Sequence, residues 1–225
     1  AVIHCADADH RASVASMLNA LRGSGKTFIQ TSGSGIVADG ANGELSDSVY
    51  ADDTPVQPVP AREARVALNH DILATAHHGV RAIVIAPTMI YGRGTGANPN
   101  SIQVPKMMAL ARKAGVAKFI GRGENIWSNV HIEDLADLYL AALDRAPAGA
   151  FYYAENGECS IKQIAEEIAR ALKLVGLGLL LALYPYFPVL TVRWPGVLQR
   201  IGICYLAAWA AKRSMIDCSK VRIIT

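Results

Sequence analysis

Along the first three quarters of this chain the apolar residues recur with two alternating periods, and the alternation predicts the elements. Ala1-Val-Ile-His4 reads as a buried strand already under way at residue 1. Over His10–Arg22, Val14, Met17, Leu18 and Leu21 fall at i, i+3, i+4 and i+7, one helical face, and Gly23-Ser-Gly25 ends it. Thr27–Thr31 reads as a short strand. Ala61–His78 is a second helix with Leu68, Ile72, Leu73 and Ala76 on one side, ended by Gly79. Arg81–Ala86 is an apolar strand stopped by Pro87. Further on, the pattern predicts a helix from Pro105 to Ala114, short strands at Ala117–Ile120 and Asn129–His131, and a helix over Glu133–Asp144. A strand over Gly149–Ala154 and a helix over Ser160–Leu172 follow. Ser160 and Gln163 make a capping box for that last helix, and Ile161, Ile164, Ile168 and Leu172 share a face.

Helices alternating with apolar strands indicate an α/β fold, a parallel sheet covered by helices. In such sheets ligands bind beyond the carboxyl ends of the strands. Three strand ends therefore attract attention: Cys5-Ala6-Asp7, Thr31-Ser32-Gly33-Ser34-Gly35, and Pro87-Thr88-Met89-Ile90-Tyr91-Gly92. The polar stretch from Ser32 to Pro60 has 29 residues without a strong period. That is long for a plain connection and reads as a functional loop.

Composition narrows the function classes. Of the 225 residues, 52% are hydrophobic and only 18% charged, with a net charge of +3. This excludes disorder and low-complexity classes. It also leaves too little positive charge for a protein held on nucleic acid by many phosphate contacts. Four cysteines, Cys5, Cys159, Cys204 and Cys218, show neither zinc-ligand spacing nor a disulfide framework. The N-terminal residues have no basic region followed by an apolar run, so no signal peptide and a reducing, cytoplasmic setting are expected.

Gly23-Ser-Gly-Lys-Thr27 imitates the end of a phosphate-binding P-loop. Position 20, where the motif's first glycine belongs, is Ala20, and the order is helix–loop–strand rather than strand–loop–helix. Triphosphate binding is not expected there.

The segments VIHCAD, TFIQTSGSGIVAD, GVRAIVIAPTMIYGRG, NVHIEDLADLYLAAL and GECSIKQIAEEIARAL occur in the order found in extended short-chain dehydrogenases/reductases. Residues 1–173 resemble the NAD-dependent epimerase/dehydratase group, especially its atypical members. The resemblance implies a Rossmann-like domain that uses NAD or NADP to oxidise or epimerise a sugar nucleotide or related alcohol, a small-molecule substrate. It maps cofactor contacts onto His4, Cys5 and Ala6, onto Thr31 and Ser32, and onto Pro87, Thr88, Met89 and Ile90. The substrate side maps onto Tyr91, Arg93, Trp127 and His131. No metal is implied.

The chain departs from the family pattern in two ways. It carries no G-x-x-G-x-x-G, the fingerprint that seats a pyrophosphate at a helix N-terminus. By the resemblance it starts at the family's fourth strand, so a truncated sheet is expected. The family's catalytic serine and Tyr-x-x-x-Lys fall on Gly33, Ala61 and Arg65. In that triad the tyrosine transfers the proton and the lysine cation lowers its pKa. Arginine cannot relay a proton near neutral pH. Ser32, Ser34 and Arg65 are the remaining catalytic candidates. Each also has an ordinary use: the serines as turn residues, Arg65 as a helix cation. His131 reads as the anchor of a strand-to-helix turn, and Trp127 as either a pocket wall or packing.

From residue 174 the character changes. Leu174–Val192 is 19 residues without a charge, interrupted by Pro185 and Pro188, and Pro195–Ala211 is a second apolar stretch containing Arg200. These approach the length of a membrane span. The stretch GLLLALYPYFPVLTVRWPGVLQRIGICYLAAW, about residues 176–210, resembles part of the heparan-alpha-glucosaminide N-acetyltransferase-like membrane acyltransferases. Two domains are therefore expected, 1–173 and a hydrophobic, membrane-like helical tail, 174–225. Residues 174–211 would either associate with a membrane or cover the sheet. The alternatives to a degenerate oxidoreductase are a non-catalytic membrane-associated binding protein and a fragment of a membrane acyltransferase.

Overall fold

Because β-strand side chains alternate between faces, a parallel sheet buried on both sides needs continuous apolar strands, and Arg81–Pro87 supplies the most complete example. The computed structural model describes residues 1–183. In chain order the elements are β1 (Val2–His4), α1 (Arg11–Leu21), β2 (Thr27–Thr31), α2 (Pro60–Ala74), β3 (Arg81–Pro87), β4 (Met89–Tyr91), α3 (Gln103–Ala114), β5 (Ile126–His131), α4 (Ile132–Arg145), β6 (Ala150–Ala154), β7 (Glu158–Ser160) and α5 (Ile161–Leu183). Single 3₁₀ turns occupy Ser34–Val37 and Thr75–His78. The chain divides into two units. The first comprises Ala1–Ala41, Ser46–Ile90 and Ser128–Asn156; the second comprises Asn42–Leu45, Tyr91–Trp127 and the segment from Gly157.

The first unit is built on a four-stranded parallel sheet in the order β1-β2-β3-β6. Ile3 stands opposite Ile29, Ile29 opposite Ile83, and Ile83 opposite Ala150. Phe28, Ala82 and Val84 face α1 and α2, where they meet Val14, Leu18, Leu68 and Ile72. Ile29, Ile83 and Ile85 face the other way, onto Val130 and, from α4, Leu135 and Ala142. Burying each large side chain here stabilises the fold by about 1.5–3 kcal/mol. Arg81, at the start of β3, closes the end of α4. Its guanidinium donates to the carbonyls of Leu143 and Ala146 and to the Thr27 hydroxyl. A cation on those last carbonyls also offsets the helix dipole.

The P-loop look-alike is spent on structure. Gly23 N–H donates to the His78 carbonyl (3.0 Å), Ser24 N–H to Leu21 (3.0 Å) and Gly25 N–H to Gly79 (2.9 Å). A phosphate would find these amides already engaged.

In the second unit α3 packs on α5, and Ala111, Ile164, Ile168 and Ala171 are buried. The capping box expected at Ser160 is formed: Ser160 N–H donates to Gln163 Oε1 (3.0 Å) and Gln163 N–H to Ser160 Oγ (3.1 Å). Gly43 and Gly121 let two loops meet. A Cβ on Gly43 (φ 95°) would lie 2.0 Å from the Ile120 carbonyl oxygen, and one on Gly121 (φ 54°) 2.3 Å from that of Asn42.

Four sequence expectations change. Ala117–Ile120 is not a strand: the run lies between left-handed turns at Gly115 and Gly121 and pairs with no neighbouring strand. The α-helical hydrogen bonding of α2 stops at Ala74 and tightens into the Thr75–His78 turn, which Gly79 closes at φ 73°. Pro87 is the last residue of β3 rather than the residue beyond it, opposite Ala154. The helix begun at Ser160 does not stop at Leu172 but continues to Leu183. Among the described residues no helix is long and apolar enough to cross a membrane. The tail beyond Leu183, with most of the acyltransferase-like stretch, lies outside the described residues.

Candidate functional site

The parallel register brings the carboxyl ends of β1, β2 and β3 to one edge of the first unit's sheet. His4 stands opposite Gln30, and Thr31 opposite Ile85. The expected cofactor residues His4, Cys5, Ala6, Thr31, Ser32, Pro87 and Thr88 therefore sit on neighbouring strand ends, with Met89 and Ile90 following. Their side chains have different duties. His4 is buried; its Nδ1 lies 2.9 Å from Gln30 Oε1 and its ring stacks on Phe28. Thr88 gives both its N–H (3.1 Å) and its hydroxyl (2.8 Å) to the Ala154 carbonyl, pinning β3 to β6. Cys5 is exposed, with Sγ 3.1 Å from Thr31 Oγ1, and Thr31 Oγ1 lies 2.5 Å from the Tyr139 hydroxyl of α4. Burial pushes the Tyr139 phenol well above its ordinary value, the Thr31 hydrogen bond working in the opposite direction. Tyr139 is thus a neutral hydrogen-bonding group, not a base.

The catalytic candidates are brought together. Ser32 and Ser34 are both buried, and Ser34 opens the 3₁₀ turn after β2. Ser32 N–H donates to the Ile85 carbonyl (2.7 Å), while its Oγ accepts from Asn69 Nδ2 (3.0 Å). A Cβ at Gly33 would stand 3.5 Å from an Arg65 guanidinium nitrogen, so Gly33 and Arg65 are neighbours. Arg65 is not a solvated helix cation. Its side chain is 18% exposed, and its guanidinium grips Asp9 through two parallel hydrogen bonds, Nε to Oδ1 at 2.6 Å and Nη2 to Oδ2. This fork-on-carboxylate geometry is the strongest that arginine makes. The hydrogen bond from Arg65 holds the Asp9 carboxyl below its ordinary range, and Asp9 raises Arg65 in return.

Asp9, Asn69 and Tyr139 are site residues that sequence reasoning missed. Asn69 carries a signal, since it lies one helical turn beyond Arg65 on α2. Asp9 and Tyr139 carry none in a single sequence.

The expected substrate residues divide between the units. His131 belongs to the first, as the N-cap of α4, with Nδ1 accepting from Glu133 N–H (3.3 Å). That is the turn anchor its position suggested. Tyr91, at the end of β4, Arg93, exposed and bridged through its backbone to Asn100, and Trp127, within β5, belong to the second. Among the described residues no group of three or more His, Cys, Asp or Glu is placed to hold a metal ion.

The sheet and its flanking helices have counterparts in known proteins. A model of the NAD dependent epimerase/dehydratase family matches residues 5–152. The chain belongs to this family. An uncharacterised protein of Schizosaccharomyces pombe is 33% identical over 156 residues, 68% of this chain and 48% of that protein. A dTDP-glucose 4,6-dehydratase from Bacillus anthracis, solved in complex with NAD, superposes with a TM-score of 0.60 at 19% identity, over 76% of this chain and 56% of that one. RMD from Pseudomonas aeruginosa, complexed with NADPH, superposes with a TM-score of 0.54 at 20% identity, over 76% and 64%. The fold is that of the Rossmann-type epimerases and dehydratases. The chain spans about half the length of the curated relatives it matches. The match to the family ends before the acyltransferase-like stretch begins.

Proposed function

We propose that this chain is the degenerate cofactor-side portion of an NAD(P)-dependent oxidoreductase or epimerase, which meets a nicotinamide cofactor weakly at its strand-end rim and does not run the family's proton-transfer triad. One observation carries this reading. The residue at the family's lysine position is Arg65, and its guanidinium is committed to Asp9 beside a glycine at the serine position. With Ala61 at the tyrosine position, no phenol stands there for a cation to activate.

The rim favours one end of a dinucleotide over the other. Exposed Asp7, the Cys5 thiol and the Thr31 hydroxyl offer acceptors that suit ribose hydroxyls. A pyrophosphate needs free N–H donors. Here the Ser32 and Thr88 amides are already given to Ile85 and Ala154. A nicotinamide ring, when bound, accepts or returns a hydride. Cys5, Thr31 and Ser32 would lie against its ribose side, and the substrate class that goes with such a cofactor in this family is a sugar nucleotide or related alcohol.

Titration calorimetry of the full chain with NAD and with NADP tests this. Saturable heat at millimolar ligand, reduced in Thr31→Val, is the expected result. No heat at that concentration ends the binding claim, and rapid turnover of an alcohol with either cofactor ends the claim of degeneracy.

A further inference from the structure

Next to the strand-end rim, on the side where Asn69 serves Ser32, the first unit contains a cavity of about 200 Å³ between the Asp52–Val56 segment, α2 and β6. Its apolar wall is Ile36, Val66, Leu73 and Phe151. Phe151 and Tyr153 meet edge to face, with centroids 4.9 Å apart and planes at 78°. A cavity of about 150 Å³ with such walls holds a benzene ring, so one ring or an equivalent branched chain fits.

The polar lining has a consistent sign. Asn69 is 3% exposed and lines the cavity; its Nδ2 is given to Ser32, and its Oδ1, a buried acceptor, has no partner. The Tyr153 hydroxyl is likewise buried without a partner. Asp52 and Asp53 bring two carboxylates, and Asp52 Oδ1 is fixed in place by the Tyr153 N–H at 2.7 Å. Among the described residues no lysine or arginine lines the space; His70, exposed, is its one basic side chain. A buried acceptor left unpaired costs about 1–3 kcal/mol. An occupant that supplies N–H donors and positive charge would recover that cost and complement the carboxylates and the aromatic faces.

We propose that this cavity binds a small organic ammonium: a protonated primary amine on an apolar body about one ring in size. The apolar body lies against Ile36, Val66, Leu73 and Phe151. The ammonium hydrogens serve the Asp52 carboxylate and Asn69 Oδ1, and the Tyr153 hydroxyl accepts from the same group. Partial desolvation and the neighbouring Asp53 charge raise the Asp52 carboxyl above its ordinary range, and burial, with the Asp52 charge, raises the Tyr153 phenol to about 12. A cation relieves the strain on the first and leaves the second protonated. Nothing in this site depends on a nicotinamide cofactor, so it stands or falls separately from the function proposed above.

The probe is benzylamine, with benzyl alcohol as its neutral counterpart of the same shape, titrated into the full chain by calorimetry and by amide NMR. Benzylamine is expected to bind saturably at neutral pH and to shift the Asn69 side-chain amide and the backbone amides of Val66 and Tyr153. Benzyl alcohol and the Asp52→Asn variant should each bind about ten-fold more weakly, the size expected for one charged hydrogen bond. Tyr153→Phe, which keeps the ring and loses only the hydroxyl, should weaken binding by a smaller factor. Failure of benzylamine to saturate overturns the proposal, because water alone then serves Asn69. Equal binding of the alcohol, or undiminished binding to both variants, also overturns it.

Discussion

The interior of the parallel sheet and its carboxyl-end rim are made by the same strands, yet they obey different rules. Inside, Phe28, Ile29 and Ile83 are fully buried, and any residue of similar size and polarity would serve. At the rim, where β2 gives way to its loop and α2 packs beside it, the side chain's chemistry decides what the place can do. On the function proposed above, Gly33, Ala61 and Arg65 stand where the family's reaction calls for a hydroxyl, a phenol and an ammonium. The interior is filled by interchangeable apolar side chains, while the rim is tied by specific pairs such as Arg65 with Asp9. Fold and site chemistry are therefore separable, because they are written in different places: the strand interiors on one side, the loop after β2 and the exposed face of α2 on the other.

Four substitutions sharpen or break that division, and urea unfolding of the full chain reads them all. Ile83→Ala, at the centre of β3, should have the largest effect, a loss of about 2–5 kcal/mol. Ser32→Ala removes the acceptor of Asn69 Nδ2 inside the protein and should cost about 1–3 kcal/mol. If it cost as much as Ile83→Ala, the rim would be part of the core and the division would fail. Ser160→Ala deletes half of the capping box of α5 and should cost about 1 kcal/mol. Arg65→Met should cost least, about 1 kcal/mol, since Arg65 is half-sheltered but Asp9 faces solvent, which screens even a two-pronged pair. The sign with pH is fixed: a carboxyl lowered in the fold stabilises above its unfolded pKa of 3.8 and loses that contribution as pH falls through the lower folded value. The gap between wild type and Arg65→Met should accordingly close in acid, whereas the gap for Ile83→Ala should not follow this titration.

What could be read from the sequence follows the same line. The bounds of β2, Thr27–Thr31, were legible to the residue, because an apolar run between turn residues admits one reading. The Ser160–Gln163 box was legible because its partners are three residues apart. The ties that define the rim were not. Asn69 meets Ser32 across 37 residues, Arg65 meets Asp9 across 56, and Tyr139 meets Thr31 across 108. A polar residue fixed by one distant partner leaves no period in the chain. Ala117–Ile120 failed for the opposite reason: four residues with the right composition had no neighbouring strand to complete them.

The backbone at Gly33 is fully extended, with φ −175°, a conformation open to every amino acid, and a side chain there would rest in ordinary contact with Arg65. Grafting a hydroxyl onto that position therefore requires no reshaping of the main chain, and Ala61, on the exposed first turn of α2, can take a phenol with equal ease. Only the third exchange has a structural consequence, because an ammonium at 65 cannot reproduce the two-pronged hold on Asp9. On the proposed function, installing the family's triad here would require redesigning the loop after β1 together with α2.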